Sequence, residues 1–202
     1  RYFKDANGNI VNLHGFAQTY SPWFNECCTI WNDYDVNACL TYNQGLIDNI
    51  LNAGWKVNFL RLHMDPYWSN TPGIHTKGEN DISAFDYDRF TKYFQSVFVP
   101  MAKYAISHGL YVVMRPPGVC PDSIAVGDAY QKYLIKVWNY VSADSYIKNN
   151  PNIMFELANE PVRIWSDGKQ AGFKELSEYF QTITNTIRVN CDNIVLVPGL
   201  GY

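Results

Sequence analysis

Short apolar runs alternate with longer amphipathic ones along the whole of this 202-residue chain, and that alternation constrains its fold more than any other feature. Residues 10–17 form the first apolar run. A helical pattern follows over residues 41–53, with Leu46, Ile47, Ile50 and Leu51 on one face, and Gly54 stops it. Residues 57–63 form a second apolar run, too short for an ordinary helix. Residues 86–108 are helical by period, through Phe90, Phe94, Val97, Met101 and Ala105, with Pro100 expected to split them into two pieces. Gly109 ends that segment and residues 110–114 read as a strand. The next helix signal covers residues 126–149, followed by a strand at 152–157. A last helix covers 170–188, with Phe173, Leu176, Phe180, Ile183 and Ile187 inward, and a strand at 193–198 closes the series.

The order β-α-β-α-β-α-β-α-β calls for a parallel sheet wrapped by helices. Two architectures satisfy it, a doubly wound open sheet and a (β/α)8 barrel. The doubly wound fold places a glycine-rich turn after its first strand. Here that stretch carries Tyr20, Pro22, Trp23, Phe24 and Trp31 instead, and polar and aromatic residues gather after several different strands. A barrel, whose site is assembled from many strand ends, is the expectation. Only five strands are legible where a barrel needs eight, so the chain reads as the first five β/α units of an incomplete barrel. The strands at 10–17 and 193–198 would then present apolar edges, and pairing is expected to cover them, either by a C-terminal fragment of the same barrel or by a second copy.

Composition narrows the function. A net charge of −3 gives no electrostatic case for nucleic acid. No apolar run approaches the roughly 20 residues that span a bilayer. The chain opens at Arg1 without a basic-then-apolar leader, so any signal peptide is expected to be absent from it. The five cysteines show neither a disulfide framework nor zinc spacing. Cys120 and Cys191 read as packing residues. Cys39 suits either a loop disulfide with Cys27 or Cys28 or a buried free thiol. No phosphate loop, metal-ligand cluster, serine-nucleophile context or cofactor motif is present.

The sharpest chemical feature is Phe155-Glu156-Leu157-Ala158-Asn159-Glu160-Pro161, an apolar strand running directly into Asn-Glu-Pro. A carboxyl at the C-terminal end of a barrel strand lies at the mouth, where barrel chemistry occurs. Glu156 and Glu160 share strand parity, but four residues of strand separate their backbones by about 13 Å. That is too far for the two carboxylates to act together on one bond, so Glu156 is expected to pair with an interior arginine, Arg61 or Arg115.

The run from Phe155 to Pro161 resembles the fourth-strand motif of glycoside hydrolase family 5, the cellulase family. Phe59-Leu60-Arg61-Leu62 is similar to that family's second strand, residues 105–113 to its helix-to-third-strand junction, and residues 194–199 to its fifth strand. Residues 3–9 resemble the hairpin that plugs the barrel bottom. The resemblance runs in order along the chain and implies that residues 1–202 are the N-terminal part of one catalytic domain. It implies a retaining hydrolase of β-linked plant polysaccharide, endo-β-1,4-glucanase-like, with Glu160 as general acid/base. Asn159 would hold the 2-hydroxyl of the sugar at the cleavage point, and Arg61 would hydrogen-bond the nucleophilic carboxylate. That nucleophile belongs to a seventh strand outside this chain, so the chain alone is expected to be inactive. A polymeric substrate implies an extracellular or cell-surface location.

Two departures bear on substrate. The third strand ends in Arg115-Pro116-Pro117-Gly118, without the family's acidic residue and histidines, and the first in Gly15-Phe16-Ala17. A hemicellulase, an exo-acting or debranching glycosidase, or a non-catalytic carbohydrate-binding half-barrel therefore remain as alternatives. His14 and His63, near strand ends, suit either a wall of the site or packing. Trp68, Trp165 and Trp31, in loops after strands, suit either sugar stacking or loop packing. Trp55 and Trp138 read as core.

Overall fold

The computed structural model describes residues 2–5, 7–18 and 35–201. Trp31, Cys27 and Cys28 lie outside the described residues. A parallel five-stranded sheet organises the rest. Its strands are β3 (Gly15–Ala17), β4 (Phe59–His63), β5 (Tyr111–Arg115), β7 (Ile153–Glu156) and β10 (Ile194–Leu196), and each pairs with the next along the chain. A doubly wound sheet reverses its strand order at a switch point. This order never reverses, so the sheet is the first five strands of a (β/α)8 barrel. Helices α1 (Val36–Asn52), α2 and α3 (Tyr87–Tyr93 and Val99–Ser107), α4 (Ala129–Ala143) and α5 (Phe173–Arg188) make the four crossovers. Asp35, Asp86 and Asp128 cap the starts of α1, α2 and α4 by accepting from backbone N–H groups three residues on.

Strand alternation separates the two faces. Leu60 and Leu62, Val112 and Met114, and Ile153 and Phe155 are buried beneath the helices and form the core with Phe90, Phe94, Trp138 and Phe180. Trp138 on α4 lies 5.1 Å from Phe155, ring to ring, and donates its indole N–H to the Leu157 carbonyl. The alternate positions, Arg61 and His63, Val113 and Arg115, and Met154 and Glu156, line the other face, which in a barrel is the interior.

Several elements differ from the sequence expectation. The apolar run at 10–17 is two strands. Ile10–Val11 (β2) pairs antiparallel with Phe3–Lys4 (β1) in a hairpin, and only Gly15–Ala17 joins the main sheet. Asp5 closes that hairpin by accepting from the Asn7 and Asn9 N–H groups. The segment does come as two α pieces, α2 and α3, with Pro100 in the first turn of α3, but a π-helical stretch, Phe94–Phe98, joins them without a break. That change of register removes the need for the N–H that proline lacks. A small sheet absent from the expectation joins β6 (Ser123–Ala125), β8 (Arg163–Ser166) and β9 (Lys169–Gln170), so α5 starts at Phe173 rather than at 170. Phe173 is 83% exposed, not inward, because it opens the helix at its solvent side. Trp55 is likewise exposed, in the turn between α1 and β4, while Trp138 is core as expected. Cys39, Cys120 and Cys191 are buried free thiols among the described residues, and the alternative Cys39 disulfide involves Cys27 or Cys28, outside them.

Asn193 ties the base of the sheet together. Its buried side-chain amide donates to the carbonyls of Ile147, Asn150 and Ile153, and its Oδ1 accepts from the Asn149 N–H at 2.7 Å. Alanine at this position removes all of these contacts, and although the Ile147 and Asn150 carbonyls keep backbone partners in Asn150 N–H and Ile153 N–H, each side-chain hydrogen bond lost is worth about 1 kcal/mol. Asn193→Ala is expected to lower the stability of the folded domain by about 2–4 kcal/mol, read as a fall in the urea midpoint with an unchanged slope.

Candidate active site

Backbone hydrogen bonds lace the C-terminal ends of the five strands. Gln18 N–H donates to the Arg61 carbonyl, Met64 to Arg115, Cys120 to Asn159, Leu157 to Leu196 and Gly201 to Pro161. Each loop at this face is therefore anchored to its neighbour, and side chains at the strand ends converge on one surface.

At the end of β7, Leu157 and Ala158 are fully buried and Asn159 is 4% exposed. Glu160 then adopts φ = 53°, in the left-handed region, and its side chain is exposed. The left-handed residue turns the chain out of the strand, and Pro161, without an N–H, cannot resume the ladder. The carboxylate of Glu160 is thus delivered to solvent at the sheet's C-terminal face.

Beneath it lies a fork of charge. Arg61 on β4 meets Glu156 on β7 in a two-point pair, Nε to Oε2 at 2.6 Å and Nη2 to Oε1 at 2.5 Å. The same Nη2 donates to Asn159 Oδ1 at 2.7 Å. Glu156 therefore takes Arg61 rather than Arg115 as partner. Charge-assisted, two-point geometry compensates much of the cost of burying these groups. Nη1 of Arg61 lies 3.3 Å from His63 Nε2. Burial, with the cations of Arg115 and Arg61 beside it, pushes the His63 imidazole down to about 3. His63 is consequently neutral, with Nε2 free of a proton and able to accept from Arg61.

Arg115, buried at the end of β5, has its counter-charge in Glu79 at 3.6 Å. The loop bearing Glu79 is fixed by Val119 N–H donating to the Glu79 carbonyl, and Gly118 (φ = 79°) sits against that carbonyl where a Cβ would overlap it. Glu79 stands in an irregular stretch, Thr76-Lys77-Gly78-Glu79, without any pattern to single it out in the sequence. The lone arginine at the third strand's end was the available sign that a carboxylate must be near.

Arg61, His63 and Asn159 are brought together by the contacts of Arg61, and Glu160 follows Asn159 in the chain with its side chain exposed. His14 is not among them. It precedes β3 and sits beside Asn58 at the N-terminal end of the sheet, its ring 3.0 Å from the Lys56 carbonyl. Its reading as a site wall fails because the apolar run containing it is two strands, and His14 falls before the second. Trp68 is not a sugar platform either. It is fully buried in the 3-10 turn Tyr67–Ser69 and packs edge to face on Tyr93 at 4.7 Å. Trp165 on β8 is 37% exposed and lines a cleft of about 560 Å³ with Asp167, Lys174, Glu175 and Glu178. Trp31 lies outside the described residues. Among the described residues no group of three or more His, Cys, Asp or Glu is placed to hold a metal ion, and no helix is long and apolar enough to cross a membrane.

The family model described as cellulase (glycosyl hydrolase family 5) matches residues 5–202. Solved structures share the fold. A β-glucanase from Saccharophagus degradans in its native form superposes with a TM-score of 0.64 at 15% identity, covering 100% of this chain and 52% of that one. The β-glucanase from the same organism in complex with cellotetraose gives 0.63 at 15% identity, with the same coverage of both chains. A GH5 cellulase from an Icelandic hot spring isolate gives 0.57 at 20% identity, covering 98% of this chain and 50% of that one. The chain spans about half the length of these structures. No curated protein matches the sequence.

The neutral state of His63 has a measurable consequence. An unfolded histidine titrates near 6.5, while the folded group lies at about 3. Below pH 6.5 the unfolded chain binds the extra proton, so the stability His63 contributes is complete above that pH and is lost as pH falls toward 3. NMR is expected to show the His63 ring neutral from pH 8 down to 4. His63→Gln, which keeps an acceptor for Arg61, is expected to flatten the decline of the urea midpoint on the acid side.

Proposed function

Because the chain belongs to glycosyl hydrolase family 5, the cellulase family, we propose that it is the acid/base-bearing part of a retaining β-glycan hydrolase of the endo-β-1,4-glucanase type. The observation that carries this reading is the end of β7, where Glu160 leaves the strand exposed beside a buried Asn159 held by Arg61. In the first step Glu160 gives its proton to the glycosidic oxygen as the bond to the sugar breaks and the nucleophile takes the anomeric carbon. In the second it removes a proton from the water that displaces the enzyme. Asn159 holds the 2-hydroxyl of the cleaved sugar. Arg61 keeps one face toward the nucleophilic carboxylate, which a seventh strand beyond this chain supplies.

Glu156 does not serve as that nucleophile, since both its oxygens are engaged by Arg61. Completion of the barrel by a C-terminal portion of about 100–150 residues, with three more strand–helix units, is part of the proposal. So are residues 1–202 as the N-terminal part of one catalytic domain, inactivity of this chain alone, and a secreted or cell-surface location. The cellotetraose held by the Saccharophagus degradans β-glucanase supports a β-glucan substrate, and Trp165, partly exposed in its own cleft, is our candidate for stacking a more distant sugar. A second reading, a hemicellulase or an exo- or debranching enzyme of the same fold, is favoured by one feature. The third strand ends in Arg115, paired with Glu79 from the loop after β4, which changes the polar wall of the site.

Removing the proposed acid/base should separate the two steps. In the complete barrel, Glu160→Ala is expected to slow β-glucan hydrolysis by about 10²–10⁴-fold. A dinitrophenyl glycoside, whose leaving group needs no proton, should still give a burst of phenol, and added azide should restore its turnover. Unchanged β-glucan hydrolysis in the variant would overturn the assignment.

A further inference from the structure

We propose that Glu156 is a positioning residue which, through Arg61, fixes the end of the Asn159 amide offered to the sugar; this rests on the reading of Asn159 and Glu160 given above. The geometry is a chain of three groups. Glu156 accepts from both Nε and Nη2 of Arg61, which holds the guanidinium in one plane. The second hydrogen of Nη2 is thereby aimed at Asn159 Oδ1, 2.7 Å away. A guanidinium has donors only. It can face the oxygen of the Asn159 amide but not its nitrogen, so the amide is locked in one of its two orientations and Nδ2 remains to meet a ligand.

The backbone closes the other route to disorder. Asn159 is almost completely buried, and its carbonyl accepts from Cys120 N–H. The side chain has little room to move, and a flip of the amide would set Nδ2 hydrogens against Arg61 hydrogens. The consequence is a directional preference in the site. Asn159 donates, so the sugar must present an accepting oxygen at that point. A 2-hydroxyl does so, and a 2-deoxy sugar does not. Glu156 touches no substrate, and its effect is expressed only as discrimination at that hydroxyl.

The test compares kcat/KM for an aryl β-glucoside and its 2-deoxy counterpart on the complete barrel. The intrinsic reactivity difference of the two substrates cancels when wild type and variant are compared. Glu156→Gln, which cannot accept at both oxygens, is expected to lower the 2-hydroxy over 2-deoxy preference about tenfold, the size of one hydrogen bond lost. A variant that merely loosened the fold would slow both substrates alike, and an unchanged preference would overturn the proposal. Should Glu156→Gln fail to fold, Arg61→Lys breaks the fork from its other side, because an ammonium cannot make the two-point contact. The same fall in preference is expected from it, and its absence is equally decisive. A complete barrel that cleaves no β-glycoside would remove both this inference and the reading beneath it. A preference lost in Glu156→Gln while Glu160→Ala remains active would remove only the acid/base assignment.

Discussion

A guanidinium and a carboxylate inside the sheet, Arg61 and Glu156, form the interaction on which the rest of this face depends. They sit on β4 and β7, two strands that hydrogen-bond not to each other but to β5 between them. The pair therefore clasps three strands across their interior side. Neither group could be left there alone, since an unpaired charge in such a setting costs several kcal/mol. Once the pair is made, its spare hydrogens decide the neighbours. One reaches Asn159, and another faces a histidine held neutral by its burial, with the charges of Arg115 and Arg61 adding to the effect.

The arrangement is layered. At the level of Arg61 the other interior positions are apolar, with Val113 and Met154 in register with it. Above it the strands end and the loops begin, each tied by a backbone hydrogen bond to the strand beside it. Arg115 and Glu79 repeat at the end of β5 what Arg61 and Glu156 do between β4 and β7: a basic residue on a strand is neutralised by a carboxylate from elsewhere. The C-terminal face thus combines polarity with rigidity, which any site that orients a sugar requires.

The strands, the helices and their order were legible in the sequence because hydrophobic period reports burial directly. Leu60 and Leu62, or Leu176 and Ile183, are buried where the alternation places them. The strand-end positions of Arg61, Asn159 and Glu160 were legible, and the partner of Glu156 was narrowed to Arg61 or Arg115, of which the structure pairs Arg61. What was not legible depended on the chain's third dimension. His14 sits in an apolar run whose division into a hairpin arm and a barrel strand depends on what each half pairs with. Trp68 follows a strand end as a sugar-stacking residue would, yet Tyr93, 25 positions on, claims its ring for the core. Glu79 carries no periodic signature because a loop has no period. The β6–β8–β9 sheet is made of segments too short for propensity to register.

The left-handed turn at Glu160 also has a meaning for how the chain weighs chemistry against ease of folding. A β-carbon in that region of backbone space is disfavoured by roughly 1–2 kcal/mol relative to glycine. The position is one where the backbone alone would favour glycine or asparagine, and it holds a long, charged side chain instead. Strand alternation ends at the same point, so the direction of the carboxylate is set by the kink rather than by the pleat. The most exposed carboxylate of this motif is therefore held in its most strained residue: the polypeptide is locally less comfortable there than a glycine would make it, and the carboxylate faces outward.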